Sequence, residues 1–156
     1  MKYFLSLAVT VLFSFTAFGQ AYKIEGNEVV FEKKVSFAKG STSLSTESKE
    51  ALLAVKQFLE DKSYISLLRI EGHCIGEKNN QEISDKRAIA VGNWLAENGV
   101  DCKRLIMVGF GDTKPVAAGN DEANTRIVFA NAELRGHAIG GMPVDGGGQV
   151  AAGPCK

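Results

Sequence analysis

Leu52, Val55 and Leu59 recur at three- and four-residue intervals, the spacing that lines apolar side chains along one side of a helix. Ser45 can cap that helix, which runs from Thr46 to about Glu60, and Glu47 lies in its positively polarised first turn. A second stripe, Ala88, Val91 and Leu95, predicts a helix from a Ser84 cap to Asn98, stopped by Gly99. Outside these segments the period changes. Residues 28–37 (EVVFEKKVSF) carry strand formers, with Val35 and Phe37 one pleat apart, and break at Lys39-Gly40-Ser41-Thr42. Ile65–His73 opens with a nearly continuous apolar run, as a central strand covered on both faces requires. Leu105–Val108 and Thr125–Leu134 read as two more strands, and the stretch Gly109 to Pro115 as the turn after the first of them. The resulting order, β-α-β-α-β-β, predicts an α+β sandwich: a mixed four-stranded sheet with two main helices packed on it.

The two ends differ from this middle. Lys2 precedes an apolar run from Tyr3 to about Phe15, and Ala17 and Gly19 stand where a signal peptidase prefers small residues, so residues 1–19 are expected to be a cleaved export signal. The run is shorter than the roughly 20 apolar residues of a spanning helix. Residues 20–134 are expected to form one domain, and residues 135–156 a glycine-rich tail. Loss of Lys2 from 18 basic and 18 acidic side chains leaves one net negative charge, which offers neither nucleic acid nor an anionic membrane surface an electrostatic footprint.

An exported chain folds where disulfides persist, and of its three cysteines, Cys74, Cys102 and Cys155, one must stay unpaired within the monomer. If the last strand runs antiparallel to the one beginning at Leu105, the tail leaves the sheet at the end where Cys102 lies. Cys102 is therefore expected to pair with Cys155, leaving Cys74 free. No C-x-x-C spacing occurs, and with His73 and His137 the only histidines no zinc set is expected. No cofactor is expected either. His73 and Cys74 are adjacent, so along a strand they point to opposite faces and cannot form a nucleophile–base dyad. Gly109-Phe110-Gly111 lacks the third glycine of a dinucleotide fingerprint, and neither Gly40-Ser41-Thr42 nor Gly146-Gly147-Gly148 has the pattern of a phosphate loop. The chain is not expected to be an enzyme.

Several short motifs recur in order: Ile70-Glu71-Gly72-His73, then Asn80-x-x-Ile83-Ser84-x-x-Arg87-Ala88-x-x-Val91, then Gly109-x-Gly111 and Pro115, then Asn124-x-Arg126. With Val35-x-Phe37 and Leu44 upstream, this series resembles the OmpA-like C-terminal domain family over about residues 28–132. The resemblance implies a periplasmic module that binds the peptidoglycan stem peptide through diaminopimelate and links it to the outer membrane. Outer-membrane proteins are then the candidate protein partners, and nucleic acid is not one. The ligand's side-chain end carries a carboxylate and an ammonium. Arg87, expected in the first turn of the second helix, takes the family's role of holding the carboxylate, where a guanidinium fork and free helix N–H groups would combine. Asn80 and Ser84 would support it, with Arg126 as a further candidate.

The sequence departs from the family on the ammonium side. Cys74-Ile75 follow Gly72-His73 where the family has threonine and aspartate, and the loop to Asn80 is a few residues shorter. Glu77 is the candidate replacement. Ala38 stands at a position that is often acidic, and Thr125 replaces an arginine. Loss of a charge-assisted hydrogen bond costs about 1.5–3 kcal/mol, or roughly tenfold to more than a hundredfold in affinity. Two functional expectations follow: a peptidoglycan-binding module, or a degenerate member that acts as a structural or protein-interaction module in the periplasm.

Overall fold

The computed structural model describes residues 21–140, 146–151 and 155. The expected export signal lies outside the described residues. The elements are β1 (Tyr22–Glu25), β2 (Glu28–Phe31), α1 (Thr46–Asp61), β3 (Ile65–His73), α2 (Asn80–Glu97), a short 3-10 helix (Cys102–Arg104), β4 (Leu105–Gly111), α3 (Asp121–Asn124), β5 (Arg126–Leu134), β6 (His137–Ala138) and β7 (Gln149–Val150). The α+β fold is the one expected. The sheet is larger, with seven strands among the described residues in the order β1-β2-β5-β3-β4-β7, and β6 beside β5. The strand β3 is central, parallel to β4 and antiparallel to β5.

Three local expectations are corrected. The first predicted strand ends at Phe31 rather than Phe37. Beyond it, Ser36 donates its N–H to Ser48 Oγ (3.1 Å) and accepts the Ser48 hydroxyl (2.7 Å), so its backbone is satisfied by a helix side chain instead of a neighbouring strand. The second helix starts at Asn80, one turn before Ser84. Ser84 is not its cap: the hydroxyl donates to Gln81 O (2.8 Å) and accepts the Gly111 N–H (2.9 Å), tying α2 to the end of β4. Finally, Gly109 and Gly111 belong to β4 rather than to a turn.

Leu68 and Ile70 on β3, Met107 on β4 and Phe129 on β5 pack with Leu52, Val55, Phe58 and Leu59 of α1 and with Ala88, Val91 and Leu95 of α2 in a single core. Phe31 meets both Phe58 and Phe129 edge-to-face at ring separations of 5.8 and 5.5 Å. The helix α2 lies tight against the sheet because β3 and β4 carry glycine where it crosses. A Cβ on Gly72 would collide with the Ser84 carbonyl, and one on Gly109 with the Asp85 carboxylate. The described part of the tail pairs back onto the sheet, β6 on β5 and β7 on β4, and a disulfide joins Cys102 to Cys155. Cys74 is a buried free thiol.

Candidate functional site

At the C-terminal end of β3, three stretches converge: the turn over residues 37–41, the loop over residues 74–79 and α2. Arg87 lies between them at 2% exposure. It stands about two turns into α2 rather than in the first turn, so the free N–H groups of the helix start are not its neighbours. This corrects the expected helix-terminus geometry and comes from the early start of α2. The guanidinium is held from several sides. Nε donates to Ser41 O at 2.9 Å, Nη2 to Ala38 O at 3.1 Å and Nη1 to Cys74 Sγ at 3.5 Å. The Phe37 ring lies under it, 5.2 Å from centroid to the guanidinium carbon, within reach of a cation–π attraction. Its carboxylate partner among the described residues is Glu77, with Nη2 to Oε1 at 3.5 Å.

Glu77 enters the site from the shortened loop, and the same oxygen also accepts the Gly40 N–H at 2.7 Å. Asn80 fixes this loop: its Oδ1 accepts the Glu77 N–H (3.0 Å), while its Nδ2 donates to Asp112 (3.1 Å). Burial pushes the Cys74 thiol up, the nearby Arg87 only partly offsetting it, so the group beside the guanidinium stays a neutral thiol. The structure thus brings Arg87, Glu77 and Asn80 together. Ser84, fully buried, stands behind them as a tie between helix and sheet.

Arg126 is placed elsewhere. It is in register with His73 on β3, whereas Arg87 touches Cys74, the next residue along, so the two arginines serve opposite faces of the sheet. The Arg126 guanidinium donates to Asn124 O (3.4 Å) and Lys114 O (3.3 Å). On the same face Arg69, Glu71 and His73 succeed one another along β3. Arg69 Nε donates to Glu71 Oε1 at 2.6 Å, and His73 Nε2 lies 3.2 Å from Glu71 Oε2. With a carboxylate as acceptor, Nε2 carries the proton, and the buried Nδ1 makes no hydrogen bond among the described residues. The ring stacks on Phe110 at 5.1 Å. Burial lowers the His73 pKa and Arg126 and Lys114 add to this, against the opposing hydrogen bond from Glu71, so the imidazole is neutral at neutral pH. Among the described residues, no group of three or more His, Cys, Asp or Glu side chains could hold a metal ion.

Phe37, Cys74 and the carbonyls of Ala38 and Ser41 were absent from the sequence-derived site. Phe37 left a signal in the sequence as part of the Val35-x-Phe37 pair, and Cys74 and Ala38 as departures from the family pattern, but that a sulfur and two backbone carbonyls would accept from Arg87 left none.

A sheet with parallel β3 and β4, two helices on one face and a guanidinium at the end of β3 defines the class, and the sequence profile of the OmpA family matches residues 36–127. This chain belongs to the OmpA family. It is 42% identical over 55 residues to the peptidoglycan-associated lipoprotein of Haemophilus influenzae, a stretch covering 33% of this chain and 36% of that protein. The match thus spans about a third of that relative's length. Among solved structures, the OmpA-like domain of FopA1 from Francisella tularensis is similar at 26% identity and a TM-score of 0.55, covering 70% of this chain and 75% of that one. The peptidoglycan-associated lipoprotein from Burkholderia pseudomallei is similar at 27% identity and a TM-score of 0.54, covering 64% and 89%.

Proposed function

We propose that this chain is a non-catalytic module of the bacterial cell envelope, exported to the periplasm, that associates non-covalently with the peptidoglycan stem peptide and helps hold it to the outer membrane. The resemblance to two peptidoglycan-associated lipoproteins supports the setting. The observation that carries the site is the Arg87–Glu77 contact. A guanidinium at 2% exposure meets its carboxylate partner at 3.5 Å, well outside the roughly 2.7–2.9 Å of a strong charge-assisted bond. Its other hydrogen bonds go to two carbonyls and a neutral sulfur. Such a cation retains attraction for a better-placed carboxylate, and diaminopimelate supplies one. Asn80 supports the site by fixing the loop, and Ser84 by fixing α2; Arg126, on the other face, has no part in this ligand contact.

A second reading, a repurposed domain that binds another protein, is favoured by one fact: every nitrogen of the Arg87 guanidinium already has a partner within the chain. Co-sedimentation of residues 20–156 with purified sacculi, with and without free diaminopimelate as competitor, separates the two. Sedimentation that the competitor reverses supports the anchor. A folded protein that stays in the supernatant refutes it and leaves the repurposed domain.

A further inference from the structure

The loop that carries Glu77 is anchored at several points. Cys74 donates its N–H to Gly111 O (2.9 Å), and Ile75 donates to Thr125 Oγ1 (3.2 Å), whose hydroxyl returns a bond to Ile75 O (3.3 Å). Gly76 turns the chain with φ of 81°, which a side chain rarely tolerates. Glu77 is then held by Asn80 through its backbone and by Gly40 through its carboxylate. The positions at which the sequence leaves the family pattern meet in this one network. Ile75 and Thr125 bond to each other, Ala38 gives its carbonyl to Arg87, and the shortened loop delivers Glu77 to the same guanidinium.

We propose that Glu77 is an internal occupant of the Arg87 site, a carboxylate of the chain itself that a ligand carboxylate must displace. Resting on the reading of Arg87 as a carboxylate-binding group, this makes Glu77 the residue that sets how readily the site admits a ligand. One Glu77 oxygen serves both the Gly40 N–H and Arg87. An incoming carboxylate is not tethered to the loop, so its two oxygens can take both donors at better distances once Glu77 turns out toward solvent, and the Glu77 side chain is already 11% exposed. A tethered competitor acts at an effective concentration of about millimolar or more. A free carboxylate of no greater intrinsic affinity therefore loses to it at concentrations below that value.

Thermal unfolding of the wild type, Glu77→Ala and Glu77→Gln, in acetate or diaminopimelate against chloride at equal ionic strength, tests this directly. The wild type is expected to respond equally to acetate and chloride. The midpoint of Glu77→Ala should rise saturably with either carboxylate, and it should bind diaminopimelate at least about tenfold more tightly than the wild type. Adding Arg87→Lys should remove most of that gain. Equal responses in wild type and variant overturn the proposal. So does weaker diaminopimelate binding by Glu77→Ala, because Glu77 would then be holding the ligand's ammonium. Glu77→Gln keeps an oxygen for Gly40 without the charge and gives the same reading if the alanine variant does not fold. Sacculi binding by the wild type is read separately, so carboxylate uptake by the variant without wild-type sedimentation would sink the envelope function and leave the occupant standing.

Discussion

Replacing Arg87 by alanine should destabilise the domain by about 2–4 kcal/mol. The side chain donates to Ser41 O at 2.9 Å and Ala38 O at 3.1 Å and rests on Phe37, so it is the tie between α2 and the turn over residues 37–41. Hydrogen bonds from a charged donor contribute about 1.5–3 kcal/mol each, and the ring contact on the order of 0.5–2 kcal/mol. Ala38 is exposed and Ser41 partly so, and water recovers a good part of the carbonyl terms. Glu77, whose side chain is only 11% exposed, is left without its counter-charge, and breaking a buried pair from one side costs about 3–5 kcal/mol when no water enters. Urea unfolding followed by circular dichroism reads the difference as a lower midpoint, and a thermal scan should show a fall in Tm on the order of 10 °C. The double variant Arg87→Ala/Glu77→Ala should be less destabilised than the sum of the singles, by about 0.5–3 kcal/mol of coupling. A loss below about 1 kcal/mol, with additive singles, would refute the argument and mark Arg87 as a cation reserved wholly for ligand.

The disulfide between Cys102 and Cys155 closes 53 residues, for which loop entropy gives about 4 kcal/mol as an upper figure; a Cys102→Ser/Cys155→Ser variant should show a clearly lower urea midpoint, and an unchanged one would mean the tail adds nothing to stability. Gly72→Ala sets a Cβ against the Ser84 carbonyl and forces α2 off β3, so its cost should reach or exceed the roughly 1–3 kcal/mol of ordinary overpacking; wild-type stability would contradict that packing. Acidification gives a signed test. The His73 pKa is lowered in the fold by burial, so between the unfolded value near 6.5 and the lower folded value the unfolded chain binds more protons. Stability should fall as pH drops through 6.5 and level off below the folded pKa, and His73→Gln should flatten that limb. Glu71 adds a later loss: burial pushes its pKa up, but His73 and Arg69 outweigh this and lower it, so its contribution disappears only as pH falls through that depressed value. A profile in which His73→Gln leaves the slope near pH 6 unchanged would contradict the assignment.

The helices and central strands were legible because their apolar stripes are regular: Leu52, Val55 and Leu59 face the core in α1, and Ala88, Val91 and Leu95 in α2, as their spacing predicts. Boundaries were harder. Ser84 looked like a cap because serine favours that position, but its hydroxyl was needed to hold Gly111, and the helix runs a turn further back. The short strands β1, β6 and β7 carry too few residues for a period to show. At the site, the family motif led to Arg87, and the missing aspartate led to Glu77. What could not be read was their direct contact, since it depends on a loop fixed by Thr125, Asn80 and the backbone of Gly40. Arg126 matched its motif position yet lies across the sheet from Arg87, because strand alternation separates His73, its partner in register, from Cys74.

Whether the Arg87 site takes a peptidoglycan carboxylate can be read by NMR, in a titration of isotopically labelled residues 20–156 with a soluble diaminopimelate stem peptide. Binding there should give saturable shifts centred on the Arg87 Nε–H, the Gly40 and Glu77 amides and Cys74. Silence at those signals, or shifts confined to the Arg126 face of the sheet, would contradict it.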